Sequence, residues 1–156
     1  MGTAVIDLLV QQHLAFADAF ARHQEALLER RWVEAARLLA SYGDKLRQHI
    51  DLEERYLLSQ WAEACGAGHW PAEVYRAEHR RIEQLLGKAE ERLRRAQAGI
   101  IAPAVLISLL DEERTLKRLI EHHHEREERA LFAHLRDHLP ASIGTSMTTE
   151  ASAAAQ

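Results

Sequence analysis

Two segments of the sequence repeat the pattern HxxxEERxL. The first begins at His49 and the second at His123, so that Glu53 of the first repeat corresponds to Glu127 of the second. Residues four apart in a helix project from the same face, about 6 Å apart along the axis. Each His–Glu pair therefore presents an imidazole nitrogen beside a carboxylate oxygen, a donor combination that suits iron, manganese or zinc.

Both pairs interrupt the apolar stripe of a predicted helix. His123 and Glu127 share helical spacing with Leu116, Ile120 and Leu131. The first pair interrupts a similar stripe, which consists of Leu38, Tyr42, Leu46, Leu57 and Trp61. Polar side chains on an inward stripe are costly, because an unpaired buried charge costs several kcal/mol or loses its charge. A bound pair of divalent cations would compensate this cost, and the sequence predicts one.

A weaker repeat adds one histidine to each half of the chain. His13 aligns with His79 at an offset of 66 residues, with Leu9 over Tyr75. The chain is therefore predicted to contain two copies of one design, each with a lone His and a His-x3-Glu pair. The predicted metal ligands are His13, His49, Glu53, His79, His123 and Glu127. An alternative register, built on His124 and Glu128, stays open, although His122 and His124 are expected to face away from His123.

Helix-terminating residues divide the chain into four long amphipathic segments. Helical periodicity and caps predict helices over about 3–29, 31–64, 71–98 and 103–138, separated by short connections that contain glycine and proline. Four such helices predict an all-α, antiparallel up-down-up-down four-helix bundle. The bundle is expected to occupy residues 1–139. Residues 140–156 show no periodicity and are expected to form a flexible C-terminal tail.

Composition limits the classes of function. The chain is 47% hydrophobic with a net charge of −4, which argues against disorder and against general nucleic-acid binding. The single cysteine, Cys65, cannot form an internal disulfide, as is typical of a reducing compartment. The N-terminus lacks the basic start of a signal peptide, and no uninterrupted apolar run reaches membrane-spanning length. A cytoplasmic location without a membrane partner is therefore expected.

The ordered pattern H…HxxxE…H…HxxxE resembles the hemerythrin-like family, also called the HHE cation-binding domain, and the resemblance covers about residues 3–138. The resemblance implies a four-helix bundle that holds a non-haem di-iron centre. It implies that His13 and His49 bind one iron ion and that His79 and His123 bind the other. The glutamates of the two repeats would bridge the ions together with an oxo or hydroxo group.

The sequence departs from the oxygen-carrying hemerythrins at two places. Its fourth helix has His123-x3-Glu127 instead of His-x4-Asp, and its third helix has one histidine where the carriers have two. Tyr75 and Glu83 are the neighbours of His79 one turn away. Glu83 is a possible additional ligand or an exposed salt-bridging residue, and Tyr75 is a possible hydrogen-bond donor beside the site. One fewer histidine predicts an open position on iron.

The function expected from these features is binding or reduction of a small oxidant: dioxygen, hydrogen peroxide or nitric oxide. Catalase-like peroxide decomposition and nitric-oxide handling are the candidate activities. The alternative is a non-catalytic oxygen, redox or iron sensor, or a carrier, that acts through a separate partner protein. Of the other histidines, His23 and His69 are expected at the surface, and His134-x3-His138 at the surface or the end of the bundle.

Overall fold

The protein is described by a computed structural model that covers residues 2–64 and 69–153; Cys65 lies outside this part of the chain. Within it, all regular secondary structure is helical, and the predicted all-α bundle is confirmed. The up-down-up-down order stays a prediction. The α-helices are α1 (Gly2–Leu28), α2 (Trp32–Leu52), α3 (Leu58–Ala64), α4 (Ala72–Gln97), α5 (Pro103–Arg126), α6 (Ala133–His138) and α7 (Ala141–Ala153).

Two π-helical segments interrupt the second and fourth predicted helices. One spans Glu53–Leu57 between α2 and α3, and the other spans Glu127–Phe132 between α5 and α6. Each begins at the glutamate of a repeat, so the two halves of the chain widen their backbone at equivalent positions. A π-helical turn inserted in an α-helix is rare and frequently marks a functional site. The extra residue also changes which positions face inward, and Leu131 and Phe132 are both buried.

The short connections contain few special conformations. Between α1 and α2, Arg30 has a φ of 59°, and the Arg31 N–H donates to the Ala26 carbonyl at 2.9 Å. This left-handed residue closes the end of α1 as glycine usually does. Pro103 occupies the first turn of α5, where its missing N–H costs no hydrogen bond. These features fix where the two pairs of long helices turn.

The apolar core consists of two clusters with a polar layer between them. One cluster contains Phe16, Leu46, Ile82 and Leu116, among others. The second includes Leu9, Leu57, Tyr75 and Leu131. On each long helix the predicted ligand positions lie between members of the two clusters. The polar layer therefore crosses the bundle, and apolar side chains enclose it on both sides.

The C-terminal segment was predicted to be a flexible tail, but the structure shows a helix there. Residues Ala141–Ala153 form α7, in which Met147 and Ala151 are buried against the second cluster. Glu150 also accepts hydrogen bonds from the side chains of Arg55 and Tyr56 in the first π-helical segment. The sequence concealed this helix because it consists mainly of Ala, Gly, Ser and Thr, which give no apolar stripe.

Helix α1 is long and apolar enough to cross a membrane, judged by length and composition alone. The stretch Thr3–Leu28 has a mean hydropathy of 1.2. No membrane span was predicted from the sequence, because charged residues such as Asp18 and Arg22 interrupt the apolar run. Core helices and signal sequences satisfy the same criterion, so it does not identify a membrane span. The buried face of α1 carries His13 and His23, and α1 contacts α2 in the bundle.

Candidate metal centre

The structure brings all six predicted ligands together in the polar layer. They come from the four long helices of the bundle and lie beside the two π-helical segments. Each is at most 5% exposed, and both glutamates are completely buried. The residues are His13 of α1, His49 of α2, His79 of α4, His123 of α5, and Glu53 and Glu127 at the starts of the π-helical segments.

The four imidazoles form two close pairs. The Nε2 atoms of His13 and His49 are 3.1 Å apart, and those of His79 and His123 are 3.0 Å apart. Each pair joins one histidine from a lone-His position with one from a repeat. This pairing is the one that the resemblance implied for the two irons.

Each buried carboxylate lies between the two histidine pairs. Glu53 Oε1 is 3.0 Å from His49 Nε2, and its Oε2 is 3.5 Å from His79 Nε2. Glu127 Oε2 is 3.4 Å from His13 Nε2, and its Oε1 is 2.9 Å from His123 Nε2. Both carboxylates therefore direct one oxygen to each pair, as a bridging carboxylate must.

The four carboxylate oxygens are buried and lack hydrogen-bond partners among the residues that the structure describes. The imidazole nitrogens approach them at short distances, but the contacts lack hydrogen-bond geometry. Buried polar atoms are almost always satisfied, and leaving one unsatisfied costs about 1–3 kcal/mol, more for a charged group. A cation would provide the missing partner for every one of these oxygens. The residues present therefore fit a metal site.

The Nδ1 atom of each imidazole, on the side away from the cluster, forms a hydrogen bond with a side-chain oxygen. Carboxylate and amide oxygens accept hydrogen bonds, so each Nδ1 carries a proton and each Nε2 faces the inside of the cluster. Second partners of this kind fix the orientation of metal-binding histidines. The partners are Glu128 for His13 at 2.7 Å, Gln12 for His49 at 2.7 Å, Glu54 for His79 at 2.8 Å and Glu78 for His123 at 2.9 Å.

This arrangement explains the paired glutamates of the HxxxEE repeat. The first glutamate of each repeat faces the cluster, and the next, about 100° around the helix, contacts the lone histidine of the other half. Glu54 thus reaches His79, and Glu128 reaches His13. These roles of Glu54 and Glu128 were not predicted from the sequence. The second glutamate of each HxxxEE repeat was the feature that could have indicated them.

The cluster is strongly coupled electrostatically when no cation is present. Burial alone lowers the pKa of His79, but Glu127 and Glu53 outweigh it and raise that pKa to about 10. The pKa of His123 rises to about 9 because Glu127 likewise outweighs burial. Burial raises the pKa of Glu127, yet the neighbouring histidines, above all His123, hold it well below its usual value. Protons on His79 and His123 therefore offset the charge of the carboxylates, and a bound cation would displace them.

His124 is a fifth imidazole, which the sequence analysis expected to face away from the site. It is only 8% exposed, and its ring stacks on His13 with centroids 3.6 Å apart. Within the described part of the chain, its buried Nε2 has no hydrogen-bond partner. Burial and then the charge of His13 lower its pKa to about 2, so the ring is neutral with a free lone pair. In α5, the side chain of His123 faces α4 and that of His124 faces α1. The two adjacent histidines in the sequence could have indicated that both lie at the site.

Two sets of side chains offer ligand atoms that all lie within 4.8 Å of one another. Among the described residues, Glu127 belongs to both sets. We name them the first set and the second set. The first set consists of His13, His49, His124 and Glu127, and the second of Glu53, His79, His123 and Glu127.

The two additional candidates differ in position. The ring of Tyr75 is fully buried, with its centroid 6.5 Å from that of His123. Glu83 is exposed and lies outside the cluster. The buried stripe of α4 runs through His79, Ile82 and Leu86, which turns Glu83 to the outer side. Only Tyr75 therefore adjoins the centre.

His23 was expected at the surface but is completely buried. Its Nδ1–H donates to the Ala35 carbonyl at 2.8 Å, and its Nε2 lies 2.8 Å from Glu113 Oε1. The prediction was wrong because an isolated histidine gives no sign that an acidic partner faces it from another helix. His69 and His138 are exposed, as expected.

Comparison with known families supports a cation-binding role. The family model described as Hemerythrin HHE cation binding domain matches residues 4–112, more than half of the chain. The matched span contains His13, His49, Glu53 and His79, and it ends before His123. No match was found among curated proteins or among solved structures.

Proposed function

The chain belongs to the hemerythrin HHE cation-binding domain family, and we propose that its buried centre holds two iron ions that bind or reduce a small oxidant. The oxidants considered are dioxygen, hydrogen peroxide and nitric oxide. The observation that carries this proposal is the group of four buried carboxylate oxygens without hydrogen-bond partners, surrounded by five imidazoles. These donors exceed what one tetrahedral ion accepts.

The chemistry of the donors is compatible with iron. In our proposal the first set would hold one ion and the second set the other, with Glu53 and Glu127 as the carboxylates available to both. Mixed imidazole and carboxylate donors suit iron, and manganese or zinc would be the competing occupants. An iron pair supplies two electrons, one from each ion, to a bound oxidant.

The surrounding side chains orient the donors and exclude water. Phe16 lies edge-on to His49 with ring centroids 5.2 Å apart, and Phe132 stacks on His13 at 5.4 Å. Exclusion of water from the polar layer limits side reactions of a reactive oxygen species. The oxygens of Gln12 and Glu128 keep the Nδ1 protons outside, so that the lone pairs on Nε2 remain available.

Reversible oxygen carriage or sensing remains the second candidate function. The sequence argument against it was that the third helix lacks a histidine, which leaves one fewer imidazole. His124 supplies that fifth imidazole from α5 instead. The number of imidazoles therefore gives no reason to prefer turnover over carriage, and a kinetic experiment must decide.

The test begins with anaerobic loading with Fe(II), metal analysis and stopped-flow mixing with oxygenated buffer or with hydrogen peroxide. We expect about two irons per chain, because the donors form two sets. Rapid oxidation followed by peroxide decomposition would support turnover. A coloured species that releases dioxygen under vacuum would support carriage. A well-loaded preparation with one metal or fewer per chain would overturn the two-ion centre.

A further inference from the structure

A chain of aromatic rings connects the second set to the surface. Tyr75 lies 6.5 Å from His123, and Trp61 lies 6.3 Å from Tyr75, measured between ring centroids. His69, which is exposed, lies 5.2 Å from Trp61. These separations fall within the range of about 4.5–7 Å that is typical of aromatic rings in contact. Trp61 and Tyr75 are themselves completely buried, so the chain runs through the core.

A second route, made of hydrogen bonds and one cation–π contact, joins the same two regions. Glu78 accepts from His123 Nδ1 and from the Arg126 guanidinium. Arg126 lies over the Trp70 ring at 4.5 Å, and Trp70 is 52% exposed. The Trp61 indole N–H donates to the Trp70 carbonyl at 2.7 Å. Both routes therefore end at residues 69–70.

The internal repeat provides a comparison within the molecule. At the repeat offsets, Trp61 corresponds to Leu135 and Tyr75 corresponds to Leu9. Both leucines are buried in the same apolar cluster as the two aromatic residues. Aliphatic side chains thus satisfy packing at the equivalent positions, and the Tyr75–Trp61 pair has no counterpart at the repeat-equivalent positions Leu9 and Leu135. Packing alone does not account for it.

We propose that Trp61 relays single electrons from donors at residues 69–70 to the metal centre, which gives the protein a peroxidase activity. This proposal rests on the proposed function. Hydrogen peroxide accepts two electrons and two solvent protons, its O–O bond breaks, and two waters form. Two donor molecules each lose one electron. Trp61 loses and regains one electron per transfer and keeps its N–H proton in the hydrogen bond to the Trp70 carbonyl.

This route predicts the class of substrate. The centre is buried, so a donor too large to enter it can react only through the protein. One-electron donors that approach the surface at Trp70 are therefore the expected substrates, whereas peroxide alone must reach the centre. Ferrocyanide is a suitable probe because it donates one electron and is too bulky to enter the polar layer.

The experiment compares iron-loaded wild type with Trp61→Phe, Trp70→Ala and the control Trp32→Phe. Trp32 begins α2 and packs against the other apolar cluster. Wild type should oxidise two ferrocyanide ions per peroxide. In Trp61→Phe and Trp70→Ala this rate should fall by about tenfold or more, about 1.4 kcal/mol in barrier. Peroxide decomposition without donor should be unchanged, and Trp32→Phe should match wild type.

Electron paramagnetic resonance gives a readout that does not depend on turnover. Wild type frozen after mixing with peroxide, without donor, should show an organic radical whose signal narrows with ring-deuterated tryptophan. Trp61→Phe should lack this signal. Because Trp70 is exposed, Trp70→Ala keeps the test decisive if the core substitution does not fold.

The outcomes separate the two proposals. Peroxide decomposition without ferrocyanide oxidation, or Trp61→Phe or Trp70→Ala as fast as wild type, would overturn the relay and leave the proposed function intact. Failure to detect a tryptophan radical in wild type would also overturn the relay. Failure of wild type to bind iron or to react with peroxide would overturn the proposed function, and the relay with it.

Discussion

Substitution of His124 by leucine should stabilise the metal-free protein and weaken metal binding. The buried Nε2 of His124 has no hydrogen-bond partner, and such an atom costs about 1–3 kcal/mol. Leucine has a similar volume and removes that cost, but it also removes the stack on His13, a contact of about 0.5–1.5 kcal/mol. The free energy of unfolding of the metal-free protein should therefore rise by about 1 kcal/mol, which corresponds to about 2–4 °C in Tm for a chain of this length.

The same substitution removes one of three imidazoles from the first set. Loss of a residue that merely orients a ligand costs about 10–100-fold in metal affinity, so loss of a donor should cost about 100-fold or more. This corresponds to about 2.7 kcal/mol. The substitution should therefore stabilise the metal-free protein and destabilise the metal-loaded protein.

Thermal melts with and without a chelator, together with competitive Fe(II) titration, measure both quantities. His122→Leu is the matched control, because the side chain of His122 is 74% exposed and adjacent in sequence. It should leave metal affinity unchanged. Destabilisation of metal-free His124→Leu with unchanged metal affinity would refute the reasoning, since it would make His124 an ordinary packing residue.

Three further results are expected. Glu127→Gln should abolish tight binding of at least one metal. Glu128→Gln removes only the contact to Nδ1 of His13 and should weaken metal affinity by about 10–100-fold. Equal effects of the two substitutions in metal titrations would contradict this. Chelation should lower Tm, because a metal present at 1,000 times its Kd stabilises the fold by about 4 kcal/mol; an unchanged melting curve would exclude tight binding. Arg30→Gly should raise Tm in thermal melts, because a non-glycine residue in the left-handed region costs about 1–2 kcal/mol; a lower Tm would show that the Arg30 side chain is needed.

The sequence predicted the four long helical segments from local periodicity, and the internal repeat predicted the six side chains that the structure brings together. His49 and Glu53 share a face through a spacing of four, whatever their tertiary environment. His124 and His23 depend on which neighbouring helix a side chain meets, and one helix does not specify this. The π-helical segments add a residue to the turn after Glu53 and Glu127, which no helical wheel anticipates. Helix α7 packs through small residues without an apolar stripe.

The departures from the repeat make the two halves of the centre chemically different. His124 corresponds to Ile50 in the first repeat, so the first set gains an imidazole that the second set lacks. A metal held by the second set would therefore have two imidazole donors, whereas one held by the first set would have three. The aromatic chain of Tyr75 and Trp61 also approaches this side. We expect two distinct iron environments in the Mössbauer spectrum of the loaded protein, with exogenous azide perturbing one of them. A single environment, or equal perturbation of both, would contradict this asymmetry.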